Sequence, residues 1–248
     1  MSLDTQTLTA ATDRRNRPGV RPAPPGHGGA VRARSGVDRW IRPAKIGVFV
    51  AALYPLARIV LFGLTDRLGA NPIEFITRST GLWTLVFLCI TLAVTPLRRM
   101  TGVNAVIRFR RILGLYAFFY ATLHFTTYIW FDKWFNVAEV LKDIGKRPFI
   151  TVGFAAFVLL IPLAATSPKA ALRKLGRRWQ TLHRAVYAIA VLAILHFWWM
   201  KAGKHDLILP KLYGAIVIAL LGWRVAFWVG GKLADRRRMA VVRDRTTR

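Results

Sequence analysis

Hydrophobic residues along this chain are gathered into six long blocks, at 46–64, 81–97, 112–131, 149–165, 181–200 and 207–229, and most charged residues sit between them. A helix rises about 1.5 Å per residue, so blocks of roughly 20 residues match a hydrocarbon layer about 30 Å thick. Tyr54-Pro55 and Pro162 interrupt the first and fourth blocks. Proline is tolerated in a membrane helix where neighbours satisfy the carbonyl it frees, so both blocks remain spans. The predicted fold class is all-α: a polytopic membrane protein, a six-transmembrane-helix bundle with both termini cytoplasmic.

That orientation follows from charge. Lys and Arg number nine up to Lys45, five in the second-to-third connection, five in the fourth-to-fifth connection and seven from Lys232 onward. Together these are roughly two-thirds of the 38 in the chain. Basic loops stay in the cytoplasm, and these four segments share a side only if there are six spans with both ends inside. A net charge of +27 on a soluble chain would suggest nucleic acid. Here the charge is segregated from the apolar blocks, so topology and contact with the lipid bilayer's anionic headgroups account for it, and no nucleic acid partner is expected.

Three regions are predicted: a disordered basic tail over 1–45, rich in Pro, Gly and Arg, a membrane domain over 46–231, and a basic tail over 232–248. Arg14-Arg15 lies about 30 polar residues from the first apolar block, too far for a twin-arginine signal. The single cysteine, Cys89, lies inside the second block. That excludes an internal disulfide, a thiolate metal centre and a Cys-x-x-Cys-His haem attachment. The sequence shows no evident internal repeat.

Chemistry is concentrated in histidine. His27 in the tail and His205 in a polar connection read as solvated. His124, His183 and His196 lie within spans that hold almost no other ionisable groups. An ionisable residue at membrane depth is a functional candidate by default, and neutral imidazole is a common axial ligand of haem. The competing reading is hydrogen-bonded packing between helices. His124 is seven residues and His196 four residues from the outer ends of their spans, a depth difference of about 5 Å. The two are therefore expected to sandwich one iron near the outer surface. His183 lies thirteen residues before His196, roughly 20 Å deeper. At its depth the third span offers Arg110 and Arg111, which suit a haem propionate better than an iron. The inner site has one visible ligand.

The stretches "RFRRILGLYAFFYATLHFTTY", "GKRPFITVGFAAFVLLIPLAATS" and "KLGRRWQTLHRAVYAIAVLAILH" resemble the MsrQ (YedZ) family. These are haem-binding membrane subunits of the periplasmic protein-methionine-sulfoxide reductase system, within the ferric-reductase-like transmembrane group. "RSTGLWTLVFLCITLAVTPL" is similar to the family's second span. The resemblance covers about residues 78–200. It implies a b-type cytochrome of the inner membrane with one or two haem b groups, and His124, His183 and His196 as the axial ligands. FMN is a further possible cofactor. Electrons would come from the quinone pool or a cytosolic flavin reductase. They would leave to a periplasmic molybdopterin-dependent subunit that reduces methionine sulfoxide. This chain would be the electron-transfer subunit, not the sulfoxide-reducing one. The wider group carries two histidines on each of two helices and a fused flavin and nicotinamide domain; the third span here holds Arg110 and Arg111 where the inner histidine would be, and no fused domain is expected.

Within that reading, Arg58 in the first span and Arg78 before the second are candidates for outer-haem propionates. Arg108, Arg110, Arg111, Arg177 and Arg178 are candidates at the inner face, for propionates or a flavin phosphate. Snorkelling explains Arg58 equally well, and topology with lipid-headgroup contact explains each single inner-face arginine better. Gly114 and Gly153 suit close helix or macrocycle approach. Two alternatives remain: another ferric-reductase-like electron carrier, and a histidine-relay transporter, for which the spans provide few acidic groups.

Overall fold

The structure is a computed structural model that describes residues 36–203 and 206–246. His27, His205 and the expected disorder of residues 1–35 lie outside them. From Trp40 onward the chain is one compact unit, and the unit before it contributes only the start of the first helix to the described residues. Nine α-helices are described: α1 Gly36–Leu64, α2 Pro72–Thr101, α3 Arg110–Thr127, α4 Val137–Lys146, α5 Pro148–Ala165, α6 Lys169–Leu175, α7 Arg177–His183, α8 Ala185–Ala202 and α9 Ile208–Thr246. There is no strand among the described residues. Six helices are long and apolar enough to cross a membrane, and each coincides with one predicted block.

Three boundaries differ from expectation. α1 begins at Gly36 and passes through Pro43, so residues 36–45 are helical rather than irregular. α9 runs on to Thr246, so the basic C-terminal segment continues the last span as helix. α2 begins at Pro72, which places Arg78 inside the helix rather than before the span. Its start was encoded in "NPIE": the Asn71 side chain accepts from Glu74 N–H at 3.1 Å, and proline fills the first turn.

Two prolines organise the packing. Pro55 breaks the hydrogen-bond ladder of α1, and the Tyr120 hydroxyl of α3 is inserted there. It accepts from Leu56 N–H at 3.2 Å and donates to Ala52 O at 2.8 Å. One turn away the Tyr116 hydroxyl donates to Phe49 O at 2.8 Å. Phe87 of α2 stacks on both tyrosines, with ring centres 5.5 and 5.4 Å apart. In α2, Pro96 has no N–H, which frees the carbonyl of Leu92 four residues earlier. Arg224 of α9 fills it, donating from Nη2 at 2.9 Å. A neighbouring helix thus satisfies the carbonyl that Pro96 frees, as expected inside a membrane, and another bridges the α1 ladder beside Pro55.

The most extensive helix contacts are α2 with α3 and α5 with α8. Between α3 and α5, outside the six spans, lies amphipathic α4, which the apolar blocks did not predict. Asp143, buried on its inner face, bonds Lys133 at 2.6 Å and Tyr128 Oη at 3.1 Å, with Arg147 at 3.6 Å. The Lys133 hydrogen bond, with Tyr128 and Arg147 behind it, holds the Asp143 carboxyl below the usual carboxylate range. This clasp fixes the entry to α5.

Candidate functional site

His124 projects from α3 and His196 from α8, and their ring centres are 6.0 Å apart with planes at 75°. Each ring is held in the same way. Nδ1 of His124 lies 2.8 Å from Thr77 O, and Nδ1 of His196 lies 2.7 Å from Phe149 O. A carbonyl only accepts, so in both rings Nδ1 carries the proton and Nε2 keeps its lone pair. This is the arrangement by which a backbone carbonyl orients an imidazole metal ligand and raises its basicity.

A glycine seats each ring. A methyl group at Gly81 would lie 3.0 Å from Nδ1 of His124, and one at Gly153 only 2.6 Å from Nδ1 of His196. Gly153 therefore has the close-approach role expected of it, while Gly114 merely packs near Thr91 at 3.7 Å. Both histidine–carbonyl bonds span 47 residues of sequence. Thr77 and Phe149 are 72 residues apart, and the same offset relates Gly81 to Gly153, Pro96 to Pro168 and Leu123-His124-Phe125 to Leu195-His196-Phe197. An internal repeat is thus present after all. It is too diverged to see without the contacts: α2 with α3, and α5 with α8, are two copies of one arrangement facing each other across the histidine pair.

The pair fits a metal of bis-imidazole coordination. Two rings on opposite sides of one ion, with metal–nitrogen bonds of about 2.0 Å, have centres about 6 Å apart. The described residues contain no cluster of three or more His, Cys, Asp or Glu, so a bare ion held by protein alone is not what this site offers. Phe149 flanks His196 at 6.2 Å, and Leu123 and Phe197, next to the two histidines in sequence, pack against the apolar core.

His183 is not brought to this pair. It ends α7, where the helix breaks at Arg184 before α8 resumes. Its ring stacks on Trp179 at 3.9 Å. Nε2 lies 3.1 Å from Thr166 Oγ1, whose own proton goes to Pro162 O at 2.6 Å, so Nε2 carries the hydrogen and donates. Trp179 Nε1 donates to Thr166 O at 2.9 Å and closes the network. In this arrangement His183 does not present Nε2 to a metal. In the repeat its counterpart is Arg111, which is exposed.

Among the candidate arginines, Arg58 and Arg78 line one open groove of about 400 Å³ with Asn71, Glu74 and Ser79, at the end of the bundle that holds the histidine pair. Arg58 lies over Phe62 and Phe75, at 5.3 and 5.9 Å from the ring centres, and Arg78 pairs with Glu74. At the other, basic end, Arg108, Arg111, Arg177 and Arg178 are exposed, the last two beside Lys174 in a shallow basic groove. Arg110 alone of these five is half-buried. The sequence reading overlooked Arg224, although a lone arginine inside "LLGWRVAFW" is a legible signal. Thr77 and Phe149 act through their backbone carbonyls and had no signal of their own.

Residues 79–194 match the family model of the ferric reductase like transmembrane component, a stretch that includes α3, α4, α5, α6 and α7 whole together with His124 and His183. The helices within that stretch are thus of ferric-reductase-like type, and His196 lies two residues beyond the match. More specifically, the chain belongs to the MsrQ family. It is 62% identical over 198 residues to the protein-methionine-sulfoxide reductase heme-binding subunit MsrQ of Herminiimonas arsenicoxydans, covering 79% of this chain and 90% of that one. The MsrQ of Bordetella pertussis is 62% identical over 181 residues, covering 73% and 88%, and that of Polaromonas naphthalenivorans 54% over 206 residues, covering 82% and 93%. No solved structure matches the chain. Its six apolar helices and its family make it a multi-pass inner-membrane protein.

Proposed function

We propose that this chain is the haem b-binding electron-transfer subunit of a protein-methionine-sulfoxide reductase, with His124 and His196 as the axial ligands of its outer haem. The observation that carries the reading is the matched pair of Nδ1–H···O=C bonds, which leaves two Nε2 lone pairs on rings spaced for one iron. Bound there, haem supplies one-electron redox chemistry. The protein's own part is to hold the ligand tautomers, exclude water with apolar helices, and offer Arg58 and Arg78 to propionates.

The basic end faces the cytoplasm, where excess Lys and Arg belong. Electrons enter there from the quinone pool or a cytosolic flavin reductase, with FMN as a possible intermediate carrier. They leave at the opposite end, to a periplasmic molybdopterin-dependent subunit that reduces methionine sulfoxide in oxidised proteins. His183 serves the entry side; ligation of a second haem there requires its ring to leave Thr166.

The test is the visible spectrum and haem-to-protein ratio of the purified chain. Wild type shows a Soret band and reduced α and β bands; His124→Ala and His196→Ala each lose the same haem. A colourless wild-type preparation, or loss of different haems in the two variants, contradicts the assignment.

A further inference from the structure

The connection between the third and fourth spans carries a run of exposed apolar side chains. Trp130 belongs to the span that ends at Asp132, and it is exposed. Trp134 and Phe135 follow at 78% and 61% exposure, then Val137 at 68% and Leu141 at 63% on α4. The backbone bends to present the two aromatic residues. Trp134 and Phe135 have φ of 48° and 58°, the left-handed region that bulky residues seldom occupy. Trp134 N–H to Trp130 O at 3.2 Å and Phe135 N–H to Ile129 O at 3.0 Å close the turn, and the Phe135 ring lies 6.1 Å from that of Trp130. In water such a turn favours glycine or asparagine; here it holds two aromatic rings at the end of a span.

α4 itself has three faces. Val140 and Asp143 are buried, Asp143 in its clasp with Lys133 and Tyr128. At about 100° per residue, Val137 and Leu141 lie within roughly 40° of each other, while Lys142 and Lys146 lie about 100° and 140° from Leu141. Both lysines are exposed. One face therefore meets protein, one is apolar and one is cationic. The chain also fixes where this helix lies. Four residues separate Asp132 from Val137, and Arg147 alone separates Lys146 from Pro148, where the next span begins. No span intervenes, so both ends of α4 return to one membrane surface. The first tether is shortened further because Phe135 folds back to Ile129. α4 thus lies along the surface. An amphipathic helix in that position sinks its apolar face about 5–10 Å into the boundary between headgroups and acyl chains. Tryptophan belongs at the same depth, and lysine reaches out of it.

We infer that α4 is an interfacial helix at the histidine-pair end of the bundle, with Trp134, Phe135, Val137 and Leu141 seated in phospholipid and Lys142 and Lys146 turned to water. The patch is continuous, through Trp130, with a membrane-spanning helix, and that continuity names lipid as its occupant rather than a soluble protein. The Asp143 clasp joins this lipid-seated helix to α5, whose Phe149 O holds His196. The inference rests on the chain's place in the membrane and not on what the histidines bind.

The test uses the full chain with Cys89 replaced by serine, carrying Val137→Cys, Leu141→Cys, Lys142→Cys or Lys146→Cys singly. All four side chains are exposed and none bonds Asp143, so labelling leaves the clasp intact. Each variant is spin-labelled in nanodiscs of phosphatidylethanolamine and phosphatidylglycerol. Collisions with oxygen, which concentrates among acyl chains, are compared with collisions with a water-soluble nickel chelate. The oxygen-to-nickel ratio at positions 137 and 141 is expected to be several-fold higher than at 142 and 146. Equal ratios at all four positions overturn the lipid seat. So does shielding of 137 and 141 from both reagents, which would mean that a protein partner or a second copy covers them. Failure of the electron-carrier reading would show separately in the haem spectrum, which these collision ratios do not use.

Discussion

Gly153 shows how a single hydrogen atom in place of a methyl group shapes this site. The ring of His196 occupies the space a Cβ would take, so alanine forces the imidazole to turn and breaks its bond to Phe149 O. Gly153→Ala is expected to lose most bound haem, measured as haem per chain, whereas Gly114→Ala retains it because only the Thr91 methyl is near. Equal haem content in the two variants would remove the seat from the argument. The histidines themselves were legible in the sequence, because an imidazole in a long apolar block is conspicuous. Their tautomers were not: a carbonyl acceptor belongs to whichever residue the fold delivers, and nothing in Thr77 or Phe149 as residue types announces it.

Among the elements, α1 and α4 are the ones that depend most on side chains from elsewhere. Beside Pro55 the ladder of α1 is bridged by one hydroxyl that serves two backbone groups at once. Tyr120→Phe leaves Leu56 N–H and Ala52 O without that bridge, and is expected to destabilise the folded chain by about 1–3 kcal/mol, read as a lower midpoint of thermal unfolding in detergent. An unchanged midpoint would mean that α1 closes its own ladder. In α4 the Asp143 clasp has a defined pH dependence. Its carboxyl is held below its ordinary value, so its contribution to stability is present above the unfolded pKa and is lost only as pH falls through the lower, folded one. Native-state hydrogen exchange of α4 should therefore stay slow from neutral pH down to about 4. Asp143→Asn should exchange faster across that whole range. Acceleration that already begins in the wild type near neutral pH would contradict this. The span helices could be foreseen from hydropathy alone; α4 could not, since ten residues that are half apolar and too short to span form no apolar block, and α5 and Lys133 receive their inner face.

For the whole molecule, the alternation of basic and less basic connections predicts sidedness, and the repeat gives it meaning. α2 with α3 and α5 with α8 run in the same sense and meet at His124 and His196, so one end of the bundle holds the histidine pair and the other holds Arg108, Arg110, Arg111, Arg177 and Arg178. Labelling checks the orientation. In a background with Cys89 replaced by serine, Lys174→Cys should react with an impermeant maleimide only in inverted vesicles. Lys142→Cys should react only in right-side-out spheroplasts. The reverse pattern would place the histidine pair on the cytoplasmic side and exclude delivery of electrons to a periplasmic partner.

The sequence by itself determined the number and length of the spans, the side each basic loop favours, and which imidazoles lie at membrane depth. Those properties depend on transfer free energies, which add up along a chain. Depth along the spans also paired His124 with His196; tertiary structure alone decided which nitrogen each leaves free, that His183 turns to Thr166 and Trp179, and that Arg224 reaches from the last helix to the carbonyl freed by Pro96. Those outcomes depend on distances of a few ångströms between residues far apart in sequence, and hydropathy carries no record of them.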